Sequence, residues 1–216
     1  MDLAALIAEL PIERRLALSY APKAAQQPTA ALFVLDGRLA RIVSQGREPM
    51  LVQMKLAWWR DRLGEPAGAS DRGEPLLKLF AEWGEGRHRL VALVDGWEAL
   101  LSEPPLPDQA IEDFANGRAE ACAALADVLL VGPGDAARAG RNWALAELAS
   151  RIDSADEAES VRELAAKAEW APTKLPRALR PLAVLHGLAR RQQGRGPLLS
   201  GPRDFLFALR LGLFGR

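Results

Sequence analysis

The chain has one cysteine, one tyrosine and two histidines in 216 residues, and aromatic residues make up only 6%. With Cys122 alone, no intramolecular disulfide can form, and a reducing compartment is the simpler expectation. Cys122 lies in EACAALADVLL, among small apolar residues with no His or second Cys beside it. It reads as a buried small hydrophobe rather than a reactive thiol. His88 and His186 are far apart, and neither has a second ligand at metal spacing, so solvated or capping roles are expected and no metal site is assigned.

Excess charge is also missing. Lys+Arg and Asp+Glu stand at 28 each, so the total gives no electrostatic reason to expect nucleic acid. No run reaches about 18 apolar residues, which excludes a transmembrane helix. The start, MDLAALIAELP, lacks the basic residues and long apolar run of a signal peptide. The expected location is cytoplasmic, with peripheral contact to the inner membrane left open. Phosphate-loop, dinucleotide-binding and nucleophile-elbow patterns are absent. Carboxylates stand singly or in ADEAES, a solvated helix start, so local motifs identify no enzyme.

What is present is helical periodicity along most of the chain. Alternating β-branched runs are missing, and prolines such as Pro22, Pro49, Pro75, Pro133, Pro172 and Pro202 fall where helices begin or break. Asp2 can cap a short first helix ended by Pro11, and IERRLALSYA forms a second. Ala24 to Gln45 forms a long third with an apolar stripe of Leu32, Phe33, Leu35, Leu39, Ile42 and Val43. Further helices are expected at 49–63, 75–83, 88–101, 107–130, 136–151, 155–168, 175–192 and 202–214. Gly64 to Pro75 is the clearest loop. The expected fold is all-α, one helical bundle over residues 1–216.

Two segments stand out. MKLAWWRDRL places Trp58 and Trp59 side by side, about 100° apart on a helix, so one face cannot bury both. One ring is expected in the core and the other at a seam with a second helix, each joining the helix to a different neighbour. Arg60 is placed to reach an acid on an adjacent helix. The second segment is PRDFLFALRLGLFGR, whose Phe205, Leu206, Leu209 and Leu213 form a stripe apart from Arg203 and Arg210. It suits a membrane-surface helix. A core helix is the favoured expectation, because burying one stripe is the usual fate of such a helix.

Several stretches, in order, resemble the squalene/phytoene synthase family, in particular a short divergent branch akin to the mitochondrial complex I assembly factor and its bacterial relatives. RRLALSYAPKAAQQPTAALFVLDGRLARIV is similar to the family's first block. EPMLVQMKLAWWRDRL is similar to E-P-x-x-x-x-I-R-L-x-W-W-R-D-x-L, the most specific of the matches. LVDGWEALL resembles a third block, and WALAELASRID falls where a second aspartate-rich helix belongs. The resemblance implies the all-α isoprenoid synthase fold, shortened. In that fold two facing aspartate-rich helices hold Mg²⁺, which neutralises the diphosphate of a prenyl substrate as it leaves.

The sequence departs from that pattern at the chemistry. An ungapped overlay puts the first D-D-x-x-D motif on Ala40 through Ser44, with Arg41 at a metal position. The second falls on Ser150 and Arg151, with Glu147 and Asp153 the only acids close by. Gln26 replaces a diphosphate-binding arginine, Ala99 an aspartate, and Glu120 a glycine. With Ala40, Arg41, Ser44, Ser150 and Arg151 degenerate, no catalytic residue is assigned.

The resemblance thus implies a non-catalytic scaffold or assembly protein without cofactor. Its partner would be a membrane-bound client or another synthase subunit, and Trp58, Trp59 and Arg60 would be structural. The alternative is an active prenyl-diphosphate transferase with Mg²⁺, or a subunit of one, for which Asp36, Glu48, Asp61 and Glu98 are the candidate substrate-binding carboxylates. A generic helical binding domain ranks last, because it leaves the ordered matches to chance.

Overall fold

Proline places most of the helix starts. In the computed structural model, which describes residues 3–46, 48–68, 73–170 and 174–215, Pro49, Pro75, Pro133 and Pro202 each occupy the first helical position. A proline costs nothing there, because that N–H has no partner within the helix. Pro11, Pro22 and Pro107 stand one residue earlier, as N-caps. Pro28 is the exception: it lies inside the long third helix, which continues through it.

The helices are α1 (Leu3–Ala8), α2 (Ile12–Leu18), α3 (Lys23–Gln45), α4 (Pro49–Gly64), α5 (Pro75–Leu79), α6 (Glu85–Arg89), α7 (Val91–Ala99), α8 (Asp108–Val128), α9 (Pro133–Arg151), α10 (Ala155–Ala166), α11 (Arg180–Gln192) and α12 (Pro202–Phe214). No strand occurs among the described residues, so the all-α expectation holds. The helix expected at 75–83 ends at Leu79, and a 3-10 turn follows at Ala81–Trp83. The one expected at 88–101 is divided by Leu90 into α6 and α7. The one expected from Leu175 begins only at Arg180, after a 3-10 turn at Arg177–Leu179. The proposed Asp2 cap, Pro172 and residues 69–72 of the 64–75 loop lie outside the described residues.

One continuous apolar core runs from Leu6 in α1 to Leu211 in α12. At its centre is α3, where every residue from Thr29 to Asp36 is buried, not only the expected stripe. A helix apolar on all sides is an interior one. Around it α8 and α9 are rich in alanine, which lets helix axes come close. At Gly117 of α8 an added methyl would lie 2.3 Å from the Ala92 carbonyl oxygen of α7. At Gly140 of α9 it would lie 2.7 Å from the Cys122 sulfur of α8. These contacts bring α7, α8 and α9 together without intervening side chains, so side chains from α2, α3, α8 and α9 converge in one small interior space.

Candidate functional site

Four charged side chains meet in that space. Arg14 comes from α2, Asp36 from α3, Arg118 from α8 and Glu147 from α9, and their side chains are 2%, 2%, 2% and 6% exposed. Arg14 Nη1 lies 2.8 Å from Asp36 Oδ2, and Arg14 Nη2 lies 3.1 Å from Glu147 Oε1. Arg118 Nη2 lies 3.0 Å from Asp36 Oδ2, and its Nη1 lies 2.8 Å from Glu147 Oε2. Arg118 Nε also donates to Asp36 Oδ1 at 3.2 Å, so all three of its nitrogens are engaged. The result is a closed ring of two cations and two anions.

Aromatic groups complete the enclosure. Trp97 Nε1 donates to Asp36 Oδ1 at 2.9 Å. The guanidinium carbons of Arg14 and Arg118 lie 4.9 and 4.2 Å from the Trp143 ring centroid, and Arg118 also stacks over Phe114 at 4.8 Å. The negative faces of these rings favour the buried cations. Burial alone would push the Glu147 carboxyl up, but the charges of Arg14, Arg118 and Arg151 reverse this and take it down to about 2. Arg14 is affected in the matching sense: burial works against its charge, and Glu147 and Asp36 hold it firmly protonated. A buried ion is stable only when paired and hydrogen-bonded, and here each ion is.

The other candidates named from the sequence scatter, although Glu98 does engage a partner. Of the four candidate substrate-binding carboxylates only Asp36 belongs to the ring, where it meets Glu147, the acid noted near the second motif. Glu48 is exposed before α4, and Asp61 is exposed on α4. Glu98 on α7 pairs with Arg60, which also lies 2.7 Å from Asp95. The expectation that Arg60 reaches an acid on a neighbouring helix therefore holds. Ala40 is buried, Ser44 is exposed, and the half-exposed Arg41 lies 2.8 Å from Glu9, which follows α1. Ser150 donates to the Glu147 carbonyl at 2.8 Å, and Arg151 is held by the Glu147 carboxylate. Asp153 follows the end of α9 and does not share its face. Among the described residues, no three His, Cys, Asp or Glu side chains converge as a metal site would need.

Three expectations are corrected. Trp59 is buried at 5%, beside Val52, Leu56 and Leu63 on the inward face of α4. Trp58 is 41% exposed, too open for a ring enclosed at a helix seam; it packs edge-on against Trp59 at 5.0 Å. It faces outward with Leu51 and Met54, over an open groove of about 920 Å³ shared with Arg38, Arg41 and Ile42. His186 is buried, not solvated or capping, because all of α11 from Pro181 to Ala189 is packed inside. It stacks on Trp170 at 6.1 Å, and burial followed by the charges of Arg190 and Arg138 lowers its pKa to about 4. His88 is exposed, as expected.

The third correction concerns α12, whose stripe of Phe205, Leu206, Leu209 and Leu213 points outward. The helix instead buries Asp204, Ala208, Leu211 and Gly212. Gly212 permits this: an added methyl would lie 2.4 Å from the Tyr20 ring. Ala208 and Gly212 give close packing beside Leu211, and the four bulky residues of the stripe remain outside.

Cys122 is buried as expected, and desolvation pushes its thiol up to about 12, beyond reactive range. Sequence reasoning missed Arg14 and Arg118. A signal for the second was present: Arg118 is a lone cation on the apolar side of α8, among Ala115, Gly117, Ala121 and Cys122. Compared with family models, curated proteins and solved structures, the chain matches none of them.

Proposed function

We propose that this chain is a squalene/phytoene synthase-like protein on a shortened isoprenoid synthase scaffold, and that it acts as a non-catalytic scaffold, assembly or binding protein. The observation that carries this reading is the Arg14–Asp36–Arg118–Glu147 ring. Asp36 and Glu147 come from α3 and α9, the helices to which the resemblance assigns the two aspartate-rich motifs. A hard cation needs carboxylate oxygens free to coordinate it. Here every oxygen of both carboxylates already accepts from Arg14, Arg118, Arg151 or Trp97. These residues do not fit a Mg²⁺ ion, because one could enter only by expelling a buried guanidinium. The two arginines balance the charge that metal ions would otherwise balance, and they close the space a prenyl diphosphate would need.

The partner in this reading is a protein, either a membrane-bound client or another synthase subunit. Purified chain supplied with Mg²⁺ and labelled farnesyl or geranylgeranyl diphosphate is expected to yield no condensed product. Calorimetry is expected to show no Mg²⁺-dependent diphosphate binding. Sustained turnover would overturn the reading in favour of an active prenyl-diphosphate transferase.

A further inference from the structure

The zero net charge conceals a separation along the chain. Residues 174–216 hold nine of the 28 basic side chains and one acid, Asp204, whereas residues 1–173 hold 19 basic and 27 acidic residues. The basic part contains α11 and α12, which pack together. Arg191 near the end of α11 pairs with Asp204 at 3.0 Å and stacks over Phe207 at 5.2 Å, both near the start of α12. Arg180 at the start of α11 lies against Gly215 at the end of α12. Cations therefore stand at both ends of α12. Its only acid is turned inward and already engaged by Arg191, Gln192 and Ser200.

The outward side of α12 has a definite order. At about 100° per residue, Phe205, Leu209, Leu213 and Leu206 fall within one arc of about 100°, and Arg210 and Arg203 follow at its edge. All six are exposed, and neither arginine has an ion-pair partner among the described residues. Phe214 adds a further exposed ring near the end of the helix. An apolar centre bordered by long cationic side chains matches the boundary between acyl chains and anionic headgroups. No described helix is long and apolar enough to cross a membrane, so such contact would lie along the surface.

We propose that α12 docks this protein on an anionic lipid bilayer, with Phe205, Leu206, Leu209 and Leu213 in the acyl boundary and Arg203 and Arg210 at the lipid phosphates. Charge complementarity selects this occupant. A second copy pairing stripe to stripe would bring the arginine edges and the +8 segments of two chains together, an unfavourable meeting of like charges. A nucleic acid would suit the arginines but leave the four apolar side chains at a polar surface. The inference goes beyond the non-catalytic reading and does not depend on it.

Flotation of the full chain with phosphatidylcholine vesicles, with and without about 30% phosphatidylglycerol, tests the proposal. The chain is expected to float with the anionic vesicles only, and to be released by high salt. Arg203→Gln with Arg210→Gln is expected to weaken binding by about 25-fold, at about fivefold per cation. Leu206→Glu with Leu213→Glu is expected to weaken it more than tenfold. All four side chains face solvent, so circular dichroism and the melting temperature should not change. The proposal is overturned if the intact chain does not float with anionic vesicles, or if the leucine variant floats as well as the parent. It is equally overturned if the leucine variant splits a stable dimer in size-exclusion chromatography while vesicle binding is unchanged.

Discussion

Arg118 shows how much a single interior residue can decide. Its guanidinium reaches both carboxylates of the ring, and its carbon lies over Trp143, Phe114 and, at 5.7 Å, Trp97. Removing that one charge leaves two buried anions with Arg14 as the one buried cation of the ring, and only the half-exposed Arg151 beside it on Glu147. Arg118→Met keeps much of the volume but not the charge, and is expected to cost about 3–5 kcal/mol in urea unfolding. Replacing Arg14, Asp36, Arg118 and Glu147 together with apolar residues of similar size removes the desolvation cost along with the attraction. That variant is expected to be near neutral or more stable than the parent. If Arg118→Met unfolds at the parent's urea midpoint, the ring is not a closed, dry network. The sequence revealed half of this site. Asp36 and Glu147 were legible as acids near motif positions, because a resemblance pointed to their helices. Arg14 was not, since a cation among the mixed residues of α2 looks like any exposed one until its neighbours in space are known, and for Arg118 the one signal was its place as the lone cation of α8.

At the scale of the element, α4 carries apolar residues on two faces, and only one of them is core. Val52, Leu56, Trp59 and Leu63 point inward, while Leu51, Met54 and Trp58 point out. The 100° between Trp58 and Trp59 follows from helix geometry, so the separation of the two rings was legible in the sequence. Which ring faces inward depended on where α3 and α7 lie, and the sequence does not state that. The same holds for α12, where periodicity located the stripe correctly but not its direction. The inward side went to Ala208, Leu211 and Gly212, and at Gly212 the close approach to Tyr20 leaves no room for a larger side chain. Trp59→Ala is expected to lower stability by about 3–5 kcal/mol. Trp58→Ala is expected to lower it by about 1 kcal/mol or less, the worth of one edge-on ring contact. Chemical denaturation of the two variants measures the difference, and equal losses would place both rings in the core.

For the whole molecule, buried titratable groups set the behaviour in acid, in two separate windows. His186 has its pKa lowered from 6.5 to about 4 by burial and by the charges of Arg190 and Arg138. Between those values the unfolded chain binds a proton that the fold resists, so stability falls as pH drops from about 6.5 to 4, by up to roughly 3 kcal/mol. Glu147 titrates lower. Its carboxylate sits at about 2 instead of 4.5, so the stability from its charged form is complete above 4.5 and is lost as pH falls toward 2. Glu9, held low chiefly by its hydrogen bond from Arg38, and Asp204, held low chiefly by Ser200, act in the same sense within the acid window. The melting temperature is therefore expected to fall in two stages between pH 7 and pH 2. His186→Gln should flatten the upper stage and leave the lower one. A melting temperature that stays constant from pH 7 to 4.5 in the parent would show that His186 is not held neutral against Trp170. The upper stage was not legible in the sequence, where an isolated histidine suggests a solvated group. What depresses its pKa is the burial of α11, and that is settled only when the bundle closes around it.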